Sequence, residues 1–116
     1  MIKIWHNPRC SKSRSAKEIL EETNTNYELV EYLKKELTKE DIINLKSMLG
    51  IDNIREMLRS KENEYKENNL NDSNLTQDQI IEVILQNPKL IERPILVKGD
   101  KAIIARPPEL ALEFIK

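Results

Sequence analysis

The sequence predicts an α/β fold built on a mixed four-stranded sheet with flanking helices and an inserted helical region. A strand, a helix and a second strand open the chain, and such a unit forms a right-handed parallel crossover. Near the other end, two apolar segments separated by Gly99-Asp100 predict an antiparallel hairpin. With 116 residues, the chain has the length of a single domain, 1–116.

The opening unit covers residues 2–32. Ile2–Trp5 alternates in polarity as a short strand does, and the proline-containing segment 7–9 ends it. Ser11 is expected to cap a helix whose apolar residues recur at helical spacing. Residues 24–26 end that helix, and residues 27–32 are expected to form the second strand.

A helical region is expected at about residues 36–90, between the second strand and the hairpin. Its signals are capping boxes formed by Thr38 with Asp41 and by Thr76 with Gln79, a helix stop at Gly50 and a further cap at Asp52. Segment 54–58 is expected to be a short helix and segment 61–69 a solvated polar stretch, while the apolar run 80–85 is expected in the core.

The carboxyl-terminal part is predicted to contain the hairpin and a last helix. Segments 95–97 and 102–105 are its two strands. Pro107 and Pro108 are expected to begin the helix, because proline is tolerated in a first helical turn. The residues expected on the buried face of this helix are Leu110, Ala111, Phe114 and Ile115.

Composition excludes several classes of function. The 19 basic and 20 acidic residues are dispersed and give a formal net charge of -1, so no basic stripe for nucleic acid is present. No apolar run is long enough for a membrane span, and a strand directly at the amino end predicts no signal peptide. A cytoplasmic monomer is expected. One histidine and one cysteine do not make a metal site, and we expect no bound cofactor.

Cys10 is the candidate nucleophile. It lies between a strand and a helix, where unpaired N–H groups and the helix dipole favour negative charge. His6, Arg9, Lys12 and Arg14 add positive charge nearby. In such surroundings the pKa of a thiol falls from about 8.5 to roughly 3.5–7.5. The same N–H groups suit a tetrahedral anion.

Spacing narrows the chemistry of this thiol. A free cysteine is also common as a small buried hydrophobe, but the position before a helix favours a reactive group. A tyrosine-phosphatase loop needs an arginine six residues after the cysteine, where this chain has Ala16. A dithiol oxidoreductase needs Cys-x-x-Cys, and Ser13 occupies the fourth position. One-thiol chemistry remains, in which a second thiol comes from another molecule.

One histidine and three arginines are further candidates. His6 is either a polar residue at a strand end or electrostatic support for the Cys10 thiolate. Arg93 and Arg106 each precede a proline and flank the hairpin, so both are expected near one end of the sheet. Arg59 follows the apolar segment 54–58. A lone arginine is usually a surface charge, but guanidinium groups suit tetrahedral oxyanions.

Four motifs, taken together, carry a family resemblance. They are His6-Asn7-Pro8-Arg9-Cys10-Ser11-Lys12-Ser13-Arg14, Met57-Leu58-Arg59, Glu92-Arg93-Pro94-Ile95 and Ala105-Arg106-Pro107-Pro108-Glu109. In this order, and over nearly the whole chain, the sequence resembles the glutaredoxin-coupled arsenate reductase (ArsC) family. The similarity is greatest to the short bacterial, YfgD-like branch.

The resemblance implies a thioredoxin-like core and a complete site. It implies that Cys10 is the nucleophile, that His6 assists the thiolate, and that Ser13 is a structural residue at the site. Pro94 is implied to be the cis-proline that faces the cysteine. The three residues implied to hold the oxyanion are Arg59, Arg93 and Arg106.

The implied reaction is the reduction of arsenate to arsenite. The Cys10 thiolate attacks arsenic and water leaves. The thiol of glutathione, the co-substrate, attacks the adduct, and a glutaredoxin thiol completes the reduction. External thiols thus replace a second internal cysteine.

A second class of function stays open at this point. The Spx-like transcriptional regulators have a similar fold and bind RNA polymerase. Many of them use a Cys-x-x-Cys switch, which Ser13 interrupts here. A regulator without that switch and without catalytic turnover is therefore the alternative to the reductase.

Overall fold

A computed structural model describes residues 1–116 without gaps. The strands are β1 (Ile2–Trp5), β2 (Tyr27–Val30), β3 (Ile95–Lys98) and β4 (Lys101–Ile104). The helices are α1 (Ser11–Glu22), α2 (Lys39–Leu49), α3 (Asn63–Glu67), α4 (Gln77–Gln86) and α5 (Leu110–Phe114), with 3-10 helices at Ile54–Met57 and Pro88–Leu90. No helix is both long and apolar enough to cross a membrane.

The four strands form one mixed sheet in the order β2-β1-β3-β4. β1 and β2 are parallel, as the crossover through α1 requires. β3 is antiparallel to both β1 and β4. The predicted mixed four-stranded sheet is therefore confirmed, and the helical segment 39–90 lies between β2 and β3 in sequence.

Helices cover both faces of the sheet. Successive side chains of a strand point to opposite faces. On β3, Ile95 and Val97 pack into a cluster that includes residues of α2 and α4. Leu96, between them, packs into a second cluster with residues of α1 and α5. The sheet is thus the middle layer, and the loop after β1 emerges at its end between the two helical layers.

Local capping positions α2 and α4 as expected. The side chain of Thr38 accepts a hydrogen bond from the Asp41 N–H, and the Asp41 carboxylate accepts one from the Thr38 N–H. Thr76 and Gln79 make the same reciprocal pair at α4. Gly50 ends α2 in the left-handed conformation, at φ 69°, which glycine adopts without a Cβ penalty.

Two predicted caps are shifted by one residue. Cys10, not Ser11, is the N-cap of α1: its backbone is extended, whereas Ser11 is already helical. Asn53, not Asp52, caps the next segment, and its side chain accepts from the Arg55 N–H. That segment is a 3-10 helix rather than an α-helix, because it is a single turn closed by hydrogen bonds between residues three positions apart.

Two predicted segments differ because tertiary contacts bury an aromatic ring in each. The strand predicted at 27–32 ends at Val30, and Tyr32 is fully buried with its ring stacked 5.8 Å from that of Trp5. The segment 61–69, expected to be solvated, contains α3. There Tyr65 is buried, and its hydroxyl donates to the Asn71 side chain at 2.8 Å.

Of the last elements, β4 is shifted and the final helix is shorter than predicted. β4 begins and ends one residue before the expected 102–105. α5 begins at Leu110, after both prolines, and has only five residues. A helix of little more than one turn presents a narrow face, so Ala111 is buried while Leu110, expected to be buried, is 46% exposed.

Candidate active site

The loop from β1 into α1 places Cys10 at the amino end of a 12-residue helix. The Cys10 N–H donates to the Asn7 carbonyl, and the Cys10 carbonyl accepts from the Arg14 N–H, both at 3.0 Å. The residue is partly buried, and no disulfide holds its sulfur. The predicted placement before a helix is confirmed.

The surroundings of Cys10 lower the pKa of its thiol. Burial raises that pKa, but the backbone N–H of Ser13, the Arg93 side chain and the backbone N–H of Lys12 together outweigh it. The helix amino terminus therefore supplies part of the stabilisation, and a guanidinium supplies another part. The arrangement favours a thiolate.

His6 and Ser13 form a buried pair beneath the loop. His6 Nδ1 and Ser13 Oγ are 2.7 Å apart, and Ser13 Oγ also accepts from the Asn7 N–H at 3.0 Å. His6, Asn7 and Ser13 are the three buried polar residues of the chain. These bonds tie the end of β1 to the first turn of α1 and fix the path of the chain through Cys10.

His6 does not provide the charge that the sequence suggests. Burial lowers its pKa below the ordinary value, the charges of Lys17 and Arg14 lower it further, and Glu31 opposes them. Because the ordinary histidine pKa is about 6.5, the ring is neutral at pH 7. Its contact with the loop runs through Ser13, His6 is not among the causes that lower the pKa of Cys10, and any assistance to the thiolate stays a prediction.

Arg93 and Arg106 meet at the end of the sheet that carries Cys10. Arg106 Nη1 lies 3.9 Å from Cys10 Sγ and 3.0 Å from the Arg93 carbonyl oxygen, to which it donates. Arg93 Nη1 donates to the Lys89 carbonyl at 3.3 Å. The hairpin thus brings both arginines to one end of the sheet, as predicted.

Arg59 is held by two carboxylates. Its Nε lies 3.2 Å from Glu62 Oε1, and its Nη1 lies 3.4 Å from Glu92 Oε1. Its backbone N–H donates to the Leu90 carbonyl, which anchors the segment against the chain leading to β3. The arginine is consequently oriented before any ligand binds.

Two cavities near this end of the sheet divide the arginines, and Cys10 itself lines neither of them. One, of about 250 Å³, is lined by Leu58, Arg59, Ser60, Lys61, Glu92 and Arg106. The other, of about 460 Å³, is lined by His6, Asn7, Pro8, Arg9, Glu31, Leu33, Lys34, Glu62, Lys89 and Arg93. Arg106 lines the smaller cavity and also contacts the sulfur of Cys10. Arg93 and Arg106 therefore act directly on Cys10, whereas Arg59 is linked to it only through the cavity that it shares with Arg106.

The peptide bond between Arg93 and Pro94 is cis. This agrees with the geometry expected for Pro94, whose role at the site stays a prediction. The bond between Arg106 and Pro107 is also cis, and no feature of the sequence predicts it.

Three residues near the site are absent from the sequence-based candidates. Burial raises the pKa of Tyr32 to about 12, although the charge of Arg93 lowers it, so its hydroxyl stays protonated at neutral pH. That hydroxyl and Arg93 Nε are both buried without a protein hydrogen-bond partner. Glu62 and Glu92 hold Arg59. Their only sequence signal is proximity to Arg59 and Arg93.

The chain is similar to known proteins over nearly its whole length. The model of the ArsC family matches residues 5–114. The chain is 46% identical to the uncharacterized protein YfgD of Escherichia coli K12, covering 98% of this chain and 96% of that protein. It is 41% identical to an arsenate reductase of Haemophilus influenzae Rd, covering 97% of each.

A solved structure shows the same architecture. An arsenate reductase from Vibrio cholerae superimposes with a TM-score of 0.94 at 42% identity, covering 99% of this chain and 97% of that one. Relatives that are named arsenate reductases do not favour the alternative of an Spx-like regulator. The chain belongs to the ArsC family, in its YfgD-like branch, and has the thioredoxin-like fold of the arsenate reductases it resembles.

Proposed function

We propose that the protein is an arsenate reductase that uses glutathione and glutaredoxin. The observation that carries the proposal is the Cys10 thiol, whose pKa is lowered, at the amino end of α1 with Arg106 Nη1 3.9 Å from its sulfur. A thiolate beside an anion-binding end of a helix suits attack on an oxyanion. The arsenate reductases among its relatives support an oxidoreductase.

The first step forms a bond between sulfur and arsenic. The Cys10 thiolate attacks As(V), an As–O bond breaks, and the departing oxygen leaves as water after taking up a proton. Arg106 and Arg93 face the thiol and offset the charge of the arsenate oxygens, most strongly where it builds in the transition state. Arsenic keeps its oxidation state in this step.

External thiols carry out the reduction. The thiolate of glutathione displaces a second oxygen as water and gives an arsenic atom bound to two sulfurs. A glutaredoxin thiolate then attacks the glutathione sulfur, and the electron pair of the broken S–As bond stays on arsenic. As(V) becomes As(III), and a glutathione–glutaredoxin disulfide forms. Hydrolysis of the remaining S–As bond releases arsenite and restores Cys10.

We place this reaction in the cytoplasm and assign it to a monomer. The cytoplasm keeps glutathione and lone thiols reduced. The candidate groups around Cys10 all come from one chain. Light scattering on the purified protein checks the monomer, and a dimer mass at micromolar concentration contradicts it.

A coupled assay tests the proposed reaction. Purified protein, glutathione, glutaredoxin, glutathione reductase and NADPH are mixed, and NADPH loss is followed after arsenate is added. We expect a rate that requires arsenate, glutathione and glutaredoxin, because each supplies atoms or electrons to the cycle.

The matched control is Cys10→Ser, which keeps the size of the side chain and removes the nucleophile. We expect the arsenate-dependent rate to fall to background in this variant. An equal rate with Cys10→Ser, or no arsenate-dependent rate with the unmodified chain, refutes the proposal.

A further inference from the structure

The smaller cavity, which Arg106 links to Cys10, contains a carboxylate among its cationic groups. Arg59, Lys61 and Arg106 line the cavity together with Glu92. We propose that Glu92 makes this site selective for oxyanions that retain a proton, such as hydrogen arsenate and hydrogen phosphate, over fully deprotonated sulfate. The inference rests on the proposed function and names the residue that sets its anion specificity.

Glu92 is positioned to contact an anion held by the arginines. Its Oε1 lies 3.4 Å from Arg59 Nη1, and its side chain remains 26% exposed. The backbone N–H of Glu92 donates to the Met57 carbonyl at 2.9 Å, which fixes the residue opposite the segment that carries Arg59. Arg106 connects the cavity to the thiol, since it contacts both.

The selectivity follows from the hydrogen-bonding chemistry of the Glu92 carboxylate and of the bound oxyanion. A carboxylate is an acceptor only, so it needs a donor on the bound anion. At neutral pH arsenate and phosphate each retain at least one proton and offer an O–H group, whereas sulfate retains none. A sulfate in the cavity places its oxygens against the Glu92 carboxylate with no hydrogen bond to compensate the repulsion.

Glu62 supplies a matched control on the same arginine. Its Oε1 lies 3.2 Å from Arg59 Nε, and its side chain is exposed to nearly the same degree as that of Glu92. It lines the larger cavity and not the smaller one. Replacing Glu62 removes an ion pair of Arg59 without changing the wall of the proposed anion site.

The test is protection of Cys10 from iodoacetamide by inorganic phosphate and by sulfate at constant ionic strength. Because the chain has one cysteine, the labelling rate reports on this thiol alone. The ratio of the two half-protecting concentrations is measured for the unmodified chain and for Glu92→Gln, Glu92→Asp and Glu62→Gln. Arsenate turnover of the same preparations is measured by the coupled assay.

We expect phosphate to protect the unmodified chain at lower concentration than sulfate. In Glu92→Gln the ratio should shift about tenfold toward sulfate, because the amide removes the charge and offers a donor. Glu92→Asp and Glu62→Gln should keep the preference for phosphate.

Equal protection by both anions in the unmodified chain overturns the inference, and so does an unchanged ratio in Glu92→Gln. If the unmodified chain still turns over arsenate in either case, the proposed function stands. Absence of protection by either anion also overturns the inference. Loss of turnover in the unmodified chain is the separate result that counts against the reductase.

Discussion

Cys10 owes its chemistry to three kinds of neighbour that act on one sulfur atom. Backbone N–H groups of Ser13 and Lys12 come from its own helix, while Arg93 and Arg106 come from the two sides of the hairpin. The helix donors are fixed by the local fold. The guanidinium groups depend on the packing of β3 against β1.

The pKa of the Cys10 thiol should lie below the ordinary value of a free cysteine. The rate of alkylation of this thiol follows the thiolate fraction, so a lowered pKa places the inflection at lower pH. Arg93→Ala should move the inflection to higher pH, because the guanidinium stabilises the thiolate. Iodoacetamide labelling from pH 4 to pH 10 measures both inflections.

Lys101→Ala is the control for this titration. Lys101 is exposed and lies opposite Lys98 in the register of β3 and β4. This is the end of the hairpin away from Arg93 and Arg106. Removal of the Lys101 side chain should leave the inflection in place. An inflection of the unmodified chain at the pH of a free thiol would contradict activation of Cys10.

Ser13→Ala should destabilise the fold, because Ser13 Oγ bonds both His6 and the Asn7 N–H in a buried position. Leaving those groups unpaired costs about 1–3 kcal/mol in the free energy of unfolding. Urea denaturation measures the loss. The exposed Ser47→Ala in α2 is the control, and equal stability of the two variants would argue against a structural role for Ser13.

At the scale of elements, capping boxes set where α2 and α4 begin, independently of the site. Each box satisfies one backbone donor at either end of its first turn. α4 leads directly through the 3-10 helix Pro88–Leu90 into the chain that carries Glu92 and Arg93. The order of that chain therefore depends on α4 being formed.

Thr76→Ala should lower the free energy of unfolding by about 1 kcal/mol, because the N-cap hydroxyl of α4 is lost. The coupled arsenate rate at low urea should change little, because the Cys10 loop is untouched. Thermal and urea unfolding measure the change. Ser73→Ala, in the exposed loop before the helix, should leave stability within error, and a similar loss there would contradict the capping argument.

At the scale of the whole molecule, the sheet separates two apolar clusters that assemble the site from distant segments. The cluster with α1 and α5 holds the Cys10 helix against β1, while the other holds the segments that carry Arg59 and Arg93. The two layers meet at β1 and β3. Relative placement of thiol and arginines is thus a property of the packed core.

Leu96→Ala should destabilise the protein by about 2–5 kcal/mol, because Leu96 is fully buried on β3 beneath α1 and α5. Calorimetry or urea denaturation measures the loss. Leu112→Ala is the matched control, since Leu112 is 43% exposed. A loss below 1 kcal/mol for Leu96→Ala would contradict the assignment of this residue to the core.

The sequence predicts well the elements of secondary structure that depend on residues close together in the chain. The strand–helix–strand opening, the hairpin and both capping boxes depend on neighbours along the chain, and all are confirmed. The cap predicted at Asp52 is displaced to Asn53, an equally suitable capping residue, and α1 begins after Cys10, which makes no side-chain capping hydrogen bond. The burial of Tyr32 and Tyr65 has no local signal, because it is produced by contacts with distant segments.

By itself the sequence determined the position of Cys10 between a strand and a helix, and the two arginines that flank one hairpin. These follow from chain connectivity, since adjacent residues must remain adjacent. Only the tertiary structure decided that His6 is buried and neutral at pH 7, and that Glu62 and Glu92 hold Arg59. The burial of His6 and the pairing of Glu92 with Arg59 depend on packing between segments far apart in the chain, whereas Glu62 is only three residues from Arg59 and the fold decided its side-chain orientation.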